Sequence, residues 1–145
     1  MANPAHLQLL RQGVQVWNAW RTKQLPIIPD LEGADLKGLD LNNVNLGNRD
    51  LHGADLRKAE LRGANLRDAI LTDAKLSEAD LGSANLRGSM LSKAKLVGAR
   101  LRVAALDGAN LAEADAQQAD LFRASLIGSS LSGANLEDRT STMRT

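Results

Sequence analysis

The sequence contains few of the side chains that usually carry catalysis, and those it has lie far apart. His6 and His52 are the only histidines and there is no cysteine, which excludes disulfide bonds, thiolate chemistry and cysteine-ligated metals. Neither histidine has a second histidine beside it to start a metal site. The serines lack a Ser-His-Asp context, and no stretch matches the phosphate-binding pattern G-x-x-x-x-G-K. We therefore predict no catalytic residue, no metal ion and no cofactor.

Carboxylates recur at a spacing that could bring two of them together. Asp35 and Asp55 lie twenty residues apart, and a repeating fold with that period would stack them on one face. Two adjacent carboxylates can work as a general acid and a general base, although in a repeating chain they more commonly form a ladder of solvated charges. We expect the ladder, and we predict that the protein is not an enzyme.

The composition fits one domain of 145 residues with a modest core. The chain carries 18 basic and 17 acidic side chains, and its only aromatic residues are two tryptophans and one phenylalanine. Its first residues lack the basic start and apolar run of a signal peptide, and no window approaches the roughly 20 apolar residues that span a bilayer. We expect a soluble cytoplasmic protein with no membrane contact and no small-molecule substrate.

The dominant feature is a leucine at every fifth residue. From Leu31 to Leu136 there are 22 such positions, and Ala116 is the only one that is not leucine. Two residues before the leucine stands a small residue, which is alanine in 16 repeats and serine in two. The residue between them is Asp or Asn in 13 repeats, and glycine stands two residues after the leucine in nine. The exceptions at the small position all lie near the N-terminal end: Pro29, Leu39, Val44 and Arg49.

A period of five residues suits neither regular element. On an α-helix five residues turn through about 140°, so the leucines would spread around the cylinder, and on a long strand they would alternate between faces. The pattern is satisfied when each pentapeptide is a short extended side followed by a corner, with the small residue and the leucine facing inward. Such units must stack to bury their apolar face, which predicts a solenoid. The spacing of twenty between Asn45, Asn65 and Asn85 favours four sides per turn.

Repeats such as "ANLRD" at 64–68 and "ADLGS" at 79–83 resemble those of the pentapeptide repeat family, and of its stand-alone cyanobacterial members in particular. The resemblance covers residues 30–136. It implies an all-β solenoid, a right-handed quadrilateral β-helix with leucine and alanine inside and four pentapeptides per coil. The 22 repeats would then make about 5.5 coils, a rod roughly 26 Å long at ~4.8 Å per coil.

We divide the chain into a capping helix and linker at 1–29, the solenoid at 30–136 and a polar tail at 137–145. Apolar residues at helical spacing predict one amphipathic helix over residues 4–22, with Asn3 as its cap and Pro4 at its first position. This helix would cover the open end of the first coil, where Trp17 and Trp20 supply bulk that the interior cannot hold.

Arg49 occupies an inward position that is alanine in most repeats, at the junction with the predicted cap. A buried guanidinium needs hydrogen-bond acceptors. Because residues 1–29 contain no acid, the candidates are Asp30, Asp50 and the terminal carbonyls of the helix. With such an acceptor, Arg49 would pin the cap to the solenoid. Two alternatives stay open: a bulge that turns Arg49 outward, and a contact with a partner.

The C-terminal end of the solenoid has no evident cap. Phe122 and Ile127 fall at corner positions near the last coil, and both should face outward. Exposed apolar residues at an uncovered end are a candidate surface for a homodimer. The alternative is that the polar tail folds back over the end.

Two features of the outer surface are candidates for contact with a partner. Ile70 and Met90 interrupt the outward column of Asp and Asn residues one coil apart, which would expose an apolar pair. Basic residues are expected to gather on two adjacent sides, so that an acidic patch of a partner could dock on an arginine edge. This basic set is Arg57, Lys58, Arg62, Arg67, Arg87, Arg100 and Arg102.

These features predict a rigid, non-enzymatic scaffold that binds an unknown protein partner. Some members of the family resemble B-form DNA and inhibit DNA gyrase as dimers, which is the alternative function. A DNA mimic needs dense negative charge, whereas residues 30–136 contain 15 acidic and 13 basic side chains, so mimicry is disfavoured. Direct binding of nucleic acid is not favoured either, because the solenoid offers almost no aromatic surface on which bases could stack.

Overall fold

A computed structural model describes residues 1–24 and 26–138 of the chain. Two helices come first, α1 at Pro4–Arg11 and α2 at Val14–Lys23. The prediction of one continuous helix over 4–22 is therefore wrong in its middle. Gly13 has a φ of 123°, a conformation that side chains other than glycine rarely adopt, and it turns the chain between the two helices.

Local hydrogen bonds cap the start of α1 and the end of α2. The Asn3 side chain accepts a hydrogen bond from the Ala5 N–H (2.9 Å), and Pro4 is the first helical residue, as the sequence predicts. At the end of α2 the Gln24 N–H donates to the Trp20 carbonyl (3.0 Å). Among the described residues, no helix is long and apolar enough to cross a membrane.

After residue 29 the chain forms a solenoid held by isolated parallel bridges. Every bridge joins residues twenty positions apart, from Asp30 with Asp50 to Asp115 with Asn135. Each turn of the solenoid therefore contains four pentapeptides, in the register that the repeated asparagines predict. The sides are single-residue bridges, with no longer strand in residues 1–24 and 26–138.

The corners share one type of turn. At every described corner except that of Arg49, the N–H of the residue at the small position donates to the carbonyl three residues earlier, as Ala64 does to Leu61 (3.1 Å). The residue just before the small one has a positive φ, between 53° and 69°, as the third residue of a type II turn requires. Glycine adopts this conformation freely and Asn and Asp tolerate it. Val103, with a φ of 60°, is the one β-branched residue that adopts it in the described chain.

The interior is a column of leucine and alanine side chains. From Leu31 to Leu111 the repeated leucines are at most 2% exposed, and the alanines between them are buried to the same degree. Ser89 fits into this column because its Oγ donates to the Leu86 carbonyl (2.7 Å). Burial decreases beyond Ala116, and the leucines of the last described turn are only partly buried: Leu121, Leu126, Leu131 and Leu136.

The two helices lie against the first turn and bond to its backbone. Inside the solenoid each bridging residue bonds to the turn before it, as the Asn65 N–H does to the Val44 carbonyl (2.9 Å). Asn45, in the first turn, instead receives a bond from Trp17 Nε1 on its carbonyl (2.8 Å) and donates its N–H to Asn18 Oδ1 (2.8 Å). Polar side chains of the helices thus replace the backbone of a preceding turn. The side chains of His6 and Arg11 do the same at Asp30 and Asp35, and the backbone N–H of Asn3 donates to the Asp30 carbonyl.

Candidate interaction surface

Ile70 and Met90 form an apolar pair on one outer face of the solenoid. They are bridged to each other across adjacent turns, and 36% and 46% of their surfaces are exposed. Below them in the same column stand Asp30 and Asp50, and the residue above is polar as well. The pair is therefore an apolar patch within a polar column, on a face whose backbone is fixed by the bridges.

The two corners beside this face complete the patch. On one side the hydroxyl groups of Thr72 and Ser92 lie 3.3 Å apart and share a hydrogen bond. On the other side Arg67 and Arg87 stand three residues before Ile70 and Met90. The structure thus brings together four of the predicted contact residues: the apolar pair and the two arginines at its edge.

The remaining candidate arginines lie at successive corners of the solenoid. Residues five positions apart occupy successive corners, so Arg57, Arg62 and Arg67 stand at three different corners. Arg102 lies at the same corner as Arg62, two turns further along the solenoid. Three successive corners border two adjacent sides, so these positions are compatible with the predicted gathering of basic residues on two adjacent sides.

Each of these basic residues also has a carboxylate within ion-pair distance, which reduces the field they produce together. Arg67 bonds to Asp68 beside it (3.2 Å), and Arg87 bonds to Asp107 in the next turn (3.1 Å). Because most of these side chains are about half exposed, each pair contributes little to stability. The other pairs are Arg57 with Asp55, Lys58 with Glu78, Arg62 and Arg100 with Asp80, and Arg102 with Asp120.

The stacked carboxylates have structural contacts of their own. Asp35 and Asp55 are bridged neighbours, and each accepts the backbone N–H two residues further on, from Lys37 (3.3 Å) and Arg57 (3.2 Å). The Arg57 guanidinium also donates to Asp55 and lowers the pKa of that carboxyl to about 2. The Asp55 carboxyl therefore stays ionised at neutral pH, and both side chains brace their own corners. No group of three or more His, Cys, Asp or Glu residues in the described chain could hold a metal ion.

A bond from the Ser125 hydroxyl, together with the Ile127 N–H and Arg87, lowers the pKa of Asp107. Asp107 thereby links side chains of the turn before it and the turn after it. Such pairs tie three successive turns together along one corner.

Trp17 and Trp20 lie where the helices meet the solenoid. Trp17 is fully buried, and its ring centroid is 5.3 Å from that of Trp20. Trp20 lies equally close to the ring of His6 (5.3 Å), which in turn accepts the Asp30 N–H (3.1 Å). Both tryptophans, which are too large for the interior of the repeats, thus lie at this junction.

Arg49 keeps the regular register of the solenoid. Its carbonyl accepts the Ile70 N–H (2.9 Å) as its counterparts in later turns do, so the backbone after Arg49 stays in register with the next turn. The side chain is partly buried, with Nη1 donating to the Asn48 carbonyl (3.2 Å) and Nε buried without a partner. Within residues 1–24 and 26–138 no hydrogen bond joins Arg49 to Asp30, to Asp50 or to a carbonyl at the end of α2, and the two carboxylates accept backbone N–H groups of their own corners.

The C-terminal end exposes the two apolar residues that the sequence singles out. Phe122 is 55% exposed and Ile127 is 79% exposed. The Phe122 ring lies under the guanidinium groups of Arg102 (4.7 Å) and Arg123 (5.4 Å), so it forms part of the corner as well as of the end. The suggestion that the tail folds back over this end concerns residues 139–145, which lie outside the described residues.

A comparison with protein families settles the nature of the repeat. The family model described as Pentapeptide repeats, in 8 copies, matches residues 30–68, 69–102 and 104–138. These segments make up well over half of the chain and coincide with the bridged region. The chain belongs to the pentapeptide repeat family.

Solved structures of pentapeptide repeat proteins are similar to about two thirds of the chain. A pentapeptide repeat protein of the cyanobacterium Cyanothece 51142, Rfr23, is 34% identical, with a TM-score of 0.60 over 66% of this chain and 63% of that one. A pentapeptide repeat protein from the Arabidopsis thaliana thylakoid lumen is 32% identical over 68% of this chain and 66% of that one, with a TM-score of 0.43.

A trypsin-treated variant of QnrB1, a plasmid-mediated fluoroquinolone resistance protein, is 22% identical over 73% of this chain and 64% of that one, with a TM-score of 0.56. At that identity the likeness concerns the fold alone. The chain spans less than two thirds of the length of each of these three relatives. A search of the curated proteins gave no match. Pentapeptide repeat neighbours of this kind imply a quadrilateral β-helix for the repeated region.

Sequence reasoning missed the polar residues through which this family member joins its helices to its repeats. Asn18 and His6 bond to the backbone of the first turn, and Arg21 is buried beside it with only 7% of its surface exposed. The helical pattern marks only apolar residues, so it gives no indication that these polar side chains face the solenoid. Of these three residues only Arg21 has a signal in the sequence, because it lies one helical turn beyond Trp17 on the same face of α2.

Proposed function

We propose that this pentapeptide repeat protein is a rigid, non-enzymatic scaffold that binds a protein partner on a flat outer face. In this proposal residues 30–136 form a right-handed quadrilateral β-helix of about 5.5 turns, and residues 1–29 act as its cap. The observation that carries the proposal is the exposed pair of Ile70 and Met90 beside Arg67 and Arg87. A cytoplasmic location is part of the same proposal.

The residues of this patch are of the types found at the centres of protein–protein interfaces. Met and Arg are enriched in protein interfaces, and the residues that dominate binding lie together in apolar surroundings. The bridge between Ile70 and Met90 fixes their backbone before any partner arrives, so little conformational entropy is lost on binding. The expected partner surface has an apolar centre, with hydrogen-bonding groups facing Thr72 and Ser92 and carboxylates facing the two arginines.

A pull-down with matched variants tests the proposal. Ile70→Ser/Met90→Ser removes the apolar pair, and Lys75→Ser/Lys95→Ser makes the equivalent change on the adjacent face, at residues that are also bridged to each other. Proteins that the wild type retains from a lysate of the source cells should be lost with the first variant and kept with the second. If all three proteins retain the same set, the patch is not the binding surface.

The alternative function, DNA mimicry with inhibition of gyrase, gains no support from the surface. Acidic and basic residues alternate and pair along three corners, which differs from the dense negative charge that a DNA mimic needs. Inhibition of gyrase supercoiling by micromolar protein would reverse this judgement.

We also propose a homodimer through the C-terminal turn, on the basis of the exposed Phe122 and Ile127 and the half-covered leucines beneath them. Sedimentation of the wild type beside Phe122→Ser tests it: the wild type should sediment as a dimer that the substitution weakens. A monomeric wild type would contradict this part of the proposal.

A further inference from the structure

Two arginines at the helix junction are set apart from all the others. Arg21 and Arg49 are the only described residues in which a buried polar side-chain atom, the Nε in both, has no hydrogen-bond partner. Arg21 makes no hydrogen bond through its side chain within the described residues, and Arg49 makes only the one from Nη1 to the neighbouring Asn48 carbonyl. A guanidinium carries five N–H donors, so most of these donors lack an acceptor.

The fold places these two arginines on the two elements that meet at the junction, α2 and the solenoid. Trp17 fixes α2 against Asn45 through its 2.8 Å bond, and Arg21 lies one helical turn further along the same face of α2. Arg49 starts the next side of the solenoid, four residues after Asn45. Burial lowers the pKa of Arg49, and the positive charge of Arg21 lowers it further. Two partly desolvated cations thus lie at the same junction, close enough for the charge of one to act on the other.

No acidic side chain of the described chain compensates for them. Residues 1–29 contain no Asp or Glu, and neither arginine forms an ion pair within residues 1–24 and 26–138. Asp30 and Asp50 are the nearest acids along the solenoid, but their carboxylates accept the N–H groups of Glu32 (3.1 Å) and His52 (2.9 Å) on the outer face. The basic residues of the predicted outer set, in contrast, each have a carboxylate partner.

We propose that Arg21 and Arg49 form a binding site for a small tetrahedral oxyanion, inorganic phosphate or sulfate, at the junction between α2 and the second turn. Two adjacent guanidinium groups without carboxylates match the charge of a dianion and can hold two or more of its oxygens. The ion would bind to the terminal amino groups of the two guanidinium groups, because protein covers both Nε atoms. Arg21 is only 7% exposed, so a small ion can reach it more easily than the surface of a macromolecule.

The bound ion would join the helices to the solenoid. One of its ligands comes from α2 and the other from the repeats, so binding requires the two to be docked. This site lies at the N-terminal junction, is separate from the Ile70 and Met90 patch, and does not depend on the scaffold proposal. It follows that phosphate should stabilise the folded protein by mass action.

The test is thermal unfolding of the full-length chain in phosphate and in chloride at equal ionic strength. In the wild type the midpoint should rise saturably with phosphate, by about 3–6 °C at ~10 times the dissociation constant, and sulfate should act in the same way. Arg21→Gln and Arg49→Gln should each weaken binding by roughly tenfold or more. Arg123→Gln, which removes an exposed arginine at the far end, is the matched control and should keep the full response.

Intrinsic fluorescence gives a second measurement on the same samples, since both tryptophans lie on α2 and Trp20 adjoins Arg21. Phosphate should change this emission in the wild type and in the control but not in the two glutamine variants. If a glutamine variant does not fold, the corresponding Arg→Lys variant keeps the charge but loses the planar fork, and it should bind more weakly. The proposal is wrong if phosphate stabilises no more than chloride, or if the junction variants respond as the wild type does.

Discussion

Val103 provides a direct measure of the strain that the repeat imposes on its corners. It occupies a position that requires positive φ, with a φ of 60°, and its branched Cβ clashes with the backbone in that conformation. Its side chain is 57% exposed, and its N–H donates to the Phe122 carbonyl (2.9 Å) as the other corner residues do. An asparagine at this position would keep the bond while adopting the same backbone more easily, so we predict that Val103→Asn stabilises the protein.

The size of the effect follows from two opposing contributions. An L residue in the left-handed region costs about 1–2 kcal/mol, and a β-branched one lies towards the upper value, whereas Asn is among the residues that tolerate it. The substitution also gives up apolar burial. Full burial of valine is worth roughly 1.5 kcal/mol, so less than half of that, about 0.6 kcal/mol, is lost at a side chain 57% exposed. A net gain of about 0.5–1 kcal/mol should raise the unfolding midpoint by roughly 1–4 °C.

Thermal unfolding followed by circular dichroism measures this gain, and Val97→Asn is its control. Val97 also stands at a corner and is partly buried, but it precedes the position with positive φ. Its substitution loses burial without relieving strain, so the midpoint should fall or stay unchanged. If Val103→Asn lowers the midpoint as much as Val97→Asn does, the strain argument is refuted.

Two further predictions concern the interior and the ion pairs. Leu81→Ala should destabilise the protein by about 2–5 kcal/mol, because Leu81 is fully buried; Leu131→Ala, in the partly buried last turn, should cost clearly less, and equal losses in urea unfolding would contradict this gradient. Asp55, with its pKa depressed to about 2, should add stability above the unfolded pKa near 4. This contribution should be lost as the pH falls from about 4 towards 2. The difference in unfolding free energy between the wild type and Arg57→Gln should therefore become smaller as the pH falls through that range. A difference that stays constant with pH would show that the Asp55–Arg57 pair contributes nothing to stability.

The register of the solenoid could be predicted because one constraint is repeated many times. Each leucine and its small partner must face inward, and 22 repetitions leave a single spacing that satisfies all of them. The helix break, in contrast, depends on Gly13 alone, and the apolar pattern continued across it on both sides. A single glycine in a helical pattern is often tolerated, so periodicity could not show that this one turns the chain.

The candidate surface was predictable only in part, for a related reason. Ile70 and Met90 stand out because a regular column makes every exception visible. The pairing of arginines with carboxylates depends on how long side chains bend from one turn to the next, which residue spacing does not specify. For Arg49 the sequence indicates a guanidinium that needs acceptors. It does not indicate that Arg21 lies at the same junction between α2 and the solenoid.

The two ends of the solenoid differ in a way that limits how copies could assemble. At the first turn, side chains of the helices already occupy backbone groups such as the carbonyl and N–H of Asn45. At the last described turn, the N–H groups of Leu126 and Leu131 and the carbonyls of Ala124 and Ser129 find no partner within residues 1–24 and 26–138. In the homodimer proposed above, such donors and acceptors would pair with those of a second copy about a two-fold axis. Because the opposite end is occupied, such pairing would stop at two copies and would not extend into a filament.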